Sequence, residues 1–268
     1  MVQAYDHRAS DITINEDNLF RPGQQTGLTL LEHANPDRAA MPRYWIAESG
    51  INWHSPTDWC VAFKDVTASS NVRTVIATII PRVGAGHTLS LLFAKQGTSR
   101  SDWVKNQPLL LANLNSISLD FLARQKIHTN HLVWYLVEQM PVLPPNDYAR
   151  TFGTMTAADL VRREVLHLTY TAHDMAAFAR DLGHDGDPFA WDETDRRHRR
   201  ARLDALFFHL YGIGRDDADY ILSTFPIVER EDRAAHGRYL TRDLILGYMN
   251  ALAAGDVDSI IVPGPGYE

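Results

Sequence analysis

Val72-Arg73-Thr74-Val75-Ile76-Ala77-Thr78-Ile79-Ile80-Pro81-Arg82 is the stretch on which the fold reading turns. Its Thr74–Ile80 portion is a β-branched run closed by a proline, which predicts a strand. Val83-Gly84-Ala85-Gly86-His87 supplies a glycine-rich loop, and Thr88–Phe93 predicts a partner strand beyond it. Leu110, Leu111, Leu114, Ile117, Phe121 and Leu122 then recur at helical spacing, which predicts a helix over 108–126. It ends in Arg124-Gln125-Lys126, cations placed where the helix dipole favours them. His131–Glu138 predicts a further strand, stopped by Pro141, Pro144 and Pro145.

Working outward, residues 1–59 are rich in Asn, Asp, Pro and Gly, with turn signals at Arg21-Pro22-Gly23 and Asn35-Pro36-Asp37. Short apolar pieces such as Tyr44-Trp45-Ile46-Ala47 are candidate isolated strands in an otherwise extended, loop-rich segment. On the other side, the proline cluster at 141–145 is the best candidate boundary. Beyond it the pattern is helical. Thr156-Ala157-Ala158-Asp159 caps a helix running to about Leu168. Further helices are expected over Thr171–Leu182 and Glu193–Tyr211, and, after a break at Gly212 and Gly214, over Asp216–Phe225 and Arg242–Ala254. There is no internal repeat, and the tail Val262-Pro263-Gly264-Pro265-Gly266 reads as flexible.

The chain of 268 residues can bury an ordinary core, and 45% hydrophobic with 22% charged residues is a globular composition. No window approaches the roughly 20 apolar residues of a membrane helix, and the N-terminus has no apolar signal-peptide core. The single cysteine, Cys60, excludes an internal disulfide and a multi-cysteine zinc site. A cytoplasmic protein with no membrane partner is the simplest expectation. The net charge of −7 argues against a nucleic-acid partner until its distribution is considered. Residues 1–59 hold 4 basic and 8 acidic residues, 60–165 hold 11 and 7, and 166–268 hold 11 and 18. All four lysines, Lys64, Lys95, Lys105 and Lys126, fall in the basic middle. A duplex meets a local field rather than a net charge, so this pattern is compatible with DNA binding; ordinary charge scatter accounts for it equally well.

Amino methylation of a base needs an Asp/Asn-Pro-Pro-aromatic motif, and Leu143-Pro144-Pro145-Asn146 lacks both flanking elements. Gly84-Ala85-Gly86 lies between predicted strands rather than between a strand and a helix, which argues against a dinucleotide fingerprint. No lysine stands in a convincing Glu-x-Lys context for a metal nuclease, and His128-Thr129-Asn130-His131 reads as a polar turn. Cys60 has no nearby histidine and reads as a small buried residue. Arg73, Arg82, His87, Lys95 and Arg100 flank predicted strands or lie in their loops, where cations reach phosphates and base edges. Arg73 and Arg82 equally read as strand-end charges that solvate a sheet. Arg196-Arg197-His198-Arg199-Arg200 is surrounded by Asp192, Glu193, Asp195 and Asp204 and is expected to be a salt-bridged helix face.

Tyr5-Asp6-His7-Arg8, Tyr44-Trp45-Ile46, Asn71-Val72-Arg73-Thr74 to Pro81, Leu111-Ala112-Asn113-Leu114-Asn115-Ser116 and His131–Pro145 occur in an order that resembles the C-terminal specificity region of large adenine-specific DNA methyltransferases. These are the type IIG restriction–modification and phage-defence methylases, and Leu206–Gly212 with Asp219-Tyr220-Ile221-Leu222 looks like their C-terminal helical part. The likeness spans essentially the whole chain. It implies an α+β fold: a connector over 1–59, a target-recognition domain over 60–145, a helical domain over 146–255 and a flexible tail over 256–268. It also implies that double-stranded DNA is the partner; from their places in the basic middle of the chain, Lys64, Arg73, Arg82, His87, Arg124 and Lys126 are the expected DNA contacts. No cofactor is expected in this chain; S-adenosylmethionine and methyl transfer to adenine N6 would belong to a catalytic domain or subunit upstream in the family pattern. The competing expectation is a non-catalytic interaction module that docks onto a methylase or other defence subunit.

Overall fold

The computed structural model describes residues 1–16 and 24–264. In chain order the elements are β1 (Ser10–Thr13), β2 (Gln24–Gly27), α1 (Leu30–Ala34), β3 (Trp59–Lys64), β4 (Ala77–Pro81), β5 (Leu89–Leu91), α2 (Arg100–Leu114), α3 (Ile117–Lys126) and α4 (Trp134–Val137). They continue with β6 (Thr151–Phe152), β7 (Met155–Thr156), α5 (Ala157–Thr169), α6 (Ala176–Asp181), α7 (Glu193–Leu210), α8 (Arg215–Ser223), α9 (Pro226–His236) and α10 (Leu240–Ala253). The fold is α+β with a helical C-terminal region, as the sequence implies. Among the described residues no helix is long and apolar enough to cross a membrane.

The chain forms two compact units that are interleaved in sequence. Unit 1 comprises Met1–Asp65, Ile76–Leu111 and Val165–Trp191, and unit 2 comprises Val66–Val75, Ala112–Glu164 and Asp192–Glu268. This differs from the consecutive segments expected at 59/60 and 145/146. Residues 1–59 belong to unit 1 rather than forming a connector, and the prolines of 141–145 lie inside unit 2. The reason is visible in unit 1, where β3 depends on partners far away in sequence.

Trp59-Cys60-Val61-Ala62-Phe63 is buried throughout and forms the centre of a three-stranded antiparallel sheet of order β4-β3-β5. Val61 pairs with Ile79 and Ala62 with Leu91. Successive strand residues face opposite ways, so the two faces are distinct. Cys60, Ala62 and Ile80 pack with Val2, Trp53, Leu89 and Leu91. On the other face the Trp59 ring meets Phe178 edge-on at 5.0 Å, and its Nε1 donates to Asp181 at 2.8 Å. The expected β4–β5 hairpin is therefore split: both strands pair with β3, not with each other. Tyr44–Ala47 forms no strand, and Arg21-Pro22-Gly23 lies outside the described residues.

Only the second half of the Thr74–Ile80 run is a strand. The backbone N–H groups of Thr74 and Val75 donate to one carboxylate oxygen of Asp120, at 2.8 and 2.6 Å, and so leave the ladder. Asp120 sits in the first turn of α3, almost fully buried. The single helix expected over 108–126 is two, α2 and α3, because Ser116 turns extended and caps α3 by accepting from the Leu119 N–H. The helix also begins earlier, at Arg100, with Ser99 accepting from Asp102. His131–Glu138 is not a strand: His131 makes one bridge to Val66 and the chain then turns into α4.

In unit 2, α7 and α10 pack over Leu203, Leu206, Phe207, Leu244, Ile245 and Tyr248, all buried. The expected helices at α5, α7, α8 and α10 form; Thr171–Leu182 in unit 1 is a 3-10 turn leading into the short α6, and α9 is an additional helix. Residues 256–264 are not a loose tail. Ile261 lies so close over Gly247 of α10 that a side chain there would come within 2.6 Å of it, and the Ser259 carbonyl accepts from Arg202 at 3.1 Å. Residues 265–268 lie outside the described part.

Asp120→Ala leaves two buried N–H groups without their acceptor and is expected to cost about 3 kcal/mol, read as a lower urea midpoint at unchanged slope.

Candidate nucleic-acid interface

The six expected DNA contacts divide three and three. Arg73, Arg124 and Lys126 belong to unit 2; Lys64, Arg82 and His87 belong to unit 1. In unit 2 the structure brings Arg73 and Arg124 together around Phe225. The Arg124 guanidinium lies 4.1 Å from the ring centroid and that of Arg73 lies 5.8 Å from it. Both are also committed to protein acceptors. Arg124 pairs with Asp120 at 3.1 Å and donates to the carbonyls of Asn71 and Val72 at 2.7 and 3.0 Å. Arg73 pairs with Asp204 at 3.1 Å, and the other oxygen of Asp204 accepts from the Ile117 N–H at 2.7 Å. Burial pushes the Asp204 carboxyl up from its ordinary range despite these donors. Two of the six cations thus hold unit 2 together. Lys126, exposed at the end of α3, has its Nζ 3.5 Å from Gln139 Oε1.

In unit 1, Lys64 ends β3 half-buried opposite Leu89, and burial lowers its ammonium from the ordinary lysine value. Arg82 and His87 are exposed on the β4–β5 loop, where Arg82 donates to the Ile51 carbonyl at 3.2 Å. The stretch from Arg82 to Lys105 adds exposed Lys95, Arg100 and Lys105 and contains one carboxylate, Asp102, which is hydrogen-bonded to Ser99. Arg100 also pairs with Asp181 at 2.6 Å. Lys105 was absent from the expected contacts because it falls inside the unexpected first half of α2; the continuous lack of acids from 82 to 101 was the legible signal.

The Tyr5–Arg8 motif serves structure. Arg8 is fully buried and donates to the carbonyls of His33, Asn35, Arg38 and Thr171 at 2.7, 2.7, 3.0 and 2.7 Å. Tyr5 takes a left-handed backbone, φ 61°, to start this clasp. Asp6 faces His33 Nε2 at 3.1 Å and accepts from the Arg8 N–H at 3.0 Å, while His7 pairs with Asp174 at 2.9 Å. Burial opposes ionisation of Asp6 and Asp174, but the hydrogen bonds from the histidines and the neighbouring charges outweigh it and hold both carboxyls below their ordinary values.

A cleft of about 450 Å³ opens between α8, α9 and α10, lined by Asp216, Asp219, Glu229, Arg233, Tyr239 and Arg242. Two of its carboxylates face guanidiniums: Asp219 pairs with Arg242 and Glu229 with Arg233. The Arg242 hydrogen bond holds Asp219 below the carboxylate range, which suits an ion pair rather than a proton donor. Among the described residues no group of three or more His, Cys, Asp or Glu side chains is arranged to hold a metal ion. Comparisons with family models, curated proteins and solved structures gave no match.

Arg73→Met strands the buried Asp204 carboxylate and is expected to destabilise unit 2 by about 3 kcal/mol, with Asp204→Asn restoring part of the loss in the double variant. A carboxyl with a depressed folded pKa contributes stability that is complete above its unfolded value near 4 and is lost as pH falls through the folded value. The melting temperature should therefore drop steeply below about pH 4, and Asp6→Asn should flatten that acid limb.

Proposed function

We propose that the chain is the DNA sequence-recognition portion of an adenine-N6-specific methyltransferase of a restriction–modification or phage-defence system, with unit 1 making the principal duplex contact. The observation that carries this reading is the Arg82–Lys105 stretch: Arg82, Lys95 and Lys105 with His87 are exposed in a stretch whose one carboxylate is Asp102, beside Arg100, which pairs with Asp181. Phosphate oxygens take up such cations through charge-assisted hydrogen bonds, and these contacts fix the register of a protein on a duplex. The order of sequence motifs that resembles the methylase specificity region supplies the rest of the proposal. S-adenosylmethionine and the methyl-transfer step belong, on this reading, to a catalytic domain or subunit that the recognition portion serves. Arg73 and Arg124 are reassigned from DNA contact to the scaffold of unit 2.

Duplex binding should fall with rising salt. The triple variant Arg82→Gln, Lys95→Gln, Lys105→Gln should weaken binding to all sequences alike and reduce the log–log salt slope by roughly 0.9 for each phosphate no longer neutralised. Fluorescence anisotropy on a labelled duplex across a salt series measures both. An unchanged slope in the triple variant removes the Arg82–Lys105 stretch from the interface.

A further inference from the structure

Two aromatic rings in unit 1 are left in solvent. Tyr44 and Trp45 are 79% and 77% exposed, whereas Trp59 and Trp103 are 1% and 6% exposed. A tryptophan so open is unusual for a chain with an ordinary buried core, and the two residues are consecutive in the sequence.

The segment that carries them is fixed to the cationic loop described above. Ile46 lies over Gly84, where a side chain would come within 2.5 Å of its Cγ2 atom. Arg82 donates to the carbonyl of Ile51, and the Trp53 ring meets Phe93 at 6.1 Å. Residues 48–50 form a 3-10 turn in which Gly50 donates to the Ala47 carbonyl at 2.8 Å. Positive charge accompanies the rings: the Arg43 guanidinium lies 5.3 Å from the Tyr44 centroid, and Arg82 and His87 are exposed on the loop whose Gly84 lies against Ile46. Between residues 39 and 57 Glu48 is the one acidic residue.

We propose that Tyr44 and Trp45 are a stacking platform for unpaired bases of the nucleic acid held by the Arg82–Lys105 stretch. The proposal rests on the DNA-binding reading and adds a substrate feature to it, an unstacked base. Flat rings beside guanidiniums suit a polyanion whose bases present π-faces: the cations take the backbone, and the rings take bases of any identity. A paired duplex offers its faces to neither ring, so the platform discriminates between paired and unpaired strands rather than between sequences. An aliphatic partner surface would gain area from the same rings but nothing from Arg43 and Arg82.

The test uses the full chain, a fully paired duplex and the same duplex with a short unpaired bulge. The wild type should prefer the bulged duplex. Trp45→Ala should lose about tenfold in affinity for it, leaving the paired duplex and the salt slope unchanged, and Trp45→Phe should keep most of the preference. Circular dichroism and melting temperature should be unaltered, because the ring is exposed. Equal affinity of wild type and Trp45→Ala for the bulged duplex, or an equal loss on both duplexes, overturns the platform. Concentration-dependent dimers that Trp45→Ala abolishes without changing DNA binding also overturn it, and make the patch an interface between copies. If the wild type shows no salt-dependent binding to either duplex, the recognition reading fails together with the platform. If paired-duplex binding persists without any Trp45 effect, the platform alone fails.

Discussion

The carboxylate of Asp120 is the point on which unit 2 is organised. It accepts from the Thr74 and Val75 N–H groups and from Arg124, and it occupies the first turn of α3, where the helix dipole favours a negative charge. Asp204 of α7 does the complementary task at the start of the same helix by accepting from the Ile117 N–H. Each acid brings an arginine with it, and the two arginines share the ring of Phe225. One apolar ring, two acids and two cations thereby tie together residues 66–75, α3, α7 and the start of α9. The same Asp120 contacts decide where the β-branched run stops belonging to unit 2 and becomes strand β4 of unit 1.

Charge in this chain is divided between internal and external work. Glu164 is fully buried and takes Arg199 and Arg202 at 2.8 Å each, with Arg163 at 2.9 Å. That explains why the run Arg196–Arg200 is not a free basic string: Arg199 also pairs with Asp195 at 2.7 Å, and α7 turns its arginines toward acids of α5 and of its own first turn. Arg8 is spent on four carbonyls. The stretch from Arg82 to Lys105 carries one acid of its own, Asp102, so a net charge of −7 coexists with a stretch of chain that is locally positive.

Much of the C-terminal region was legible because its signals are local. The Thr156 cap and the Gly212–Gly214 break each act within a few residues. Where the outcome depended on distant partners, the sequence misled. β3 is a continuous apolar run with no alternation, and its partners stand before and after a loop that looked like a hairpin. Thr74 and Val75 have strong strand propensity, yet a carboxylate 46 and 45 residues away claims their N–H groups. α9 was missed although Pro226 at its first turn and left-handed Gly237 at its end are ordinary boundary residues. Of the six expected contacts, Arg82, His87 and Lys126 are exposed, whereas Arg73 and Arg124 could be assigned to the scaffold only once Asp204, Asp120 and Phe225 were placed beside them.

Cys60 gives the molecule an unplanned property. Its side chain is closed inside the central strand, and burial pushes the thiol up to about 12. Since the thiolate is the nucleophile, this sulfur is silent toward alkylating reagents and oxidants while the sheet is intact. The native protein therefore behaves chemically as if it contained no cysteine, and a thiol introduced on the surface would be the one address for a dye or cross-linker. Conversely, the rate at which Cys60 itself becomes labelled is a clock for the opening of β3, a built-in reporter of the breathing of unit 1 that needs no added label.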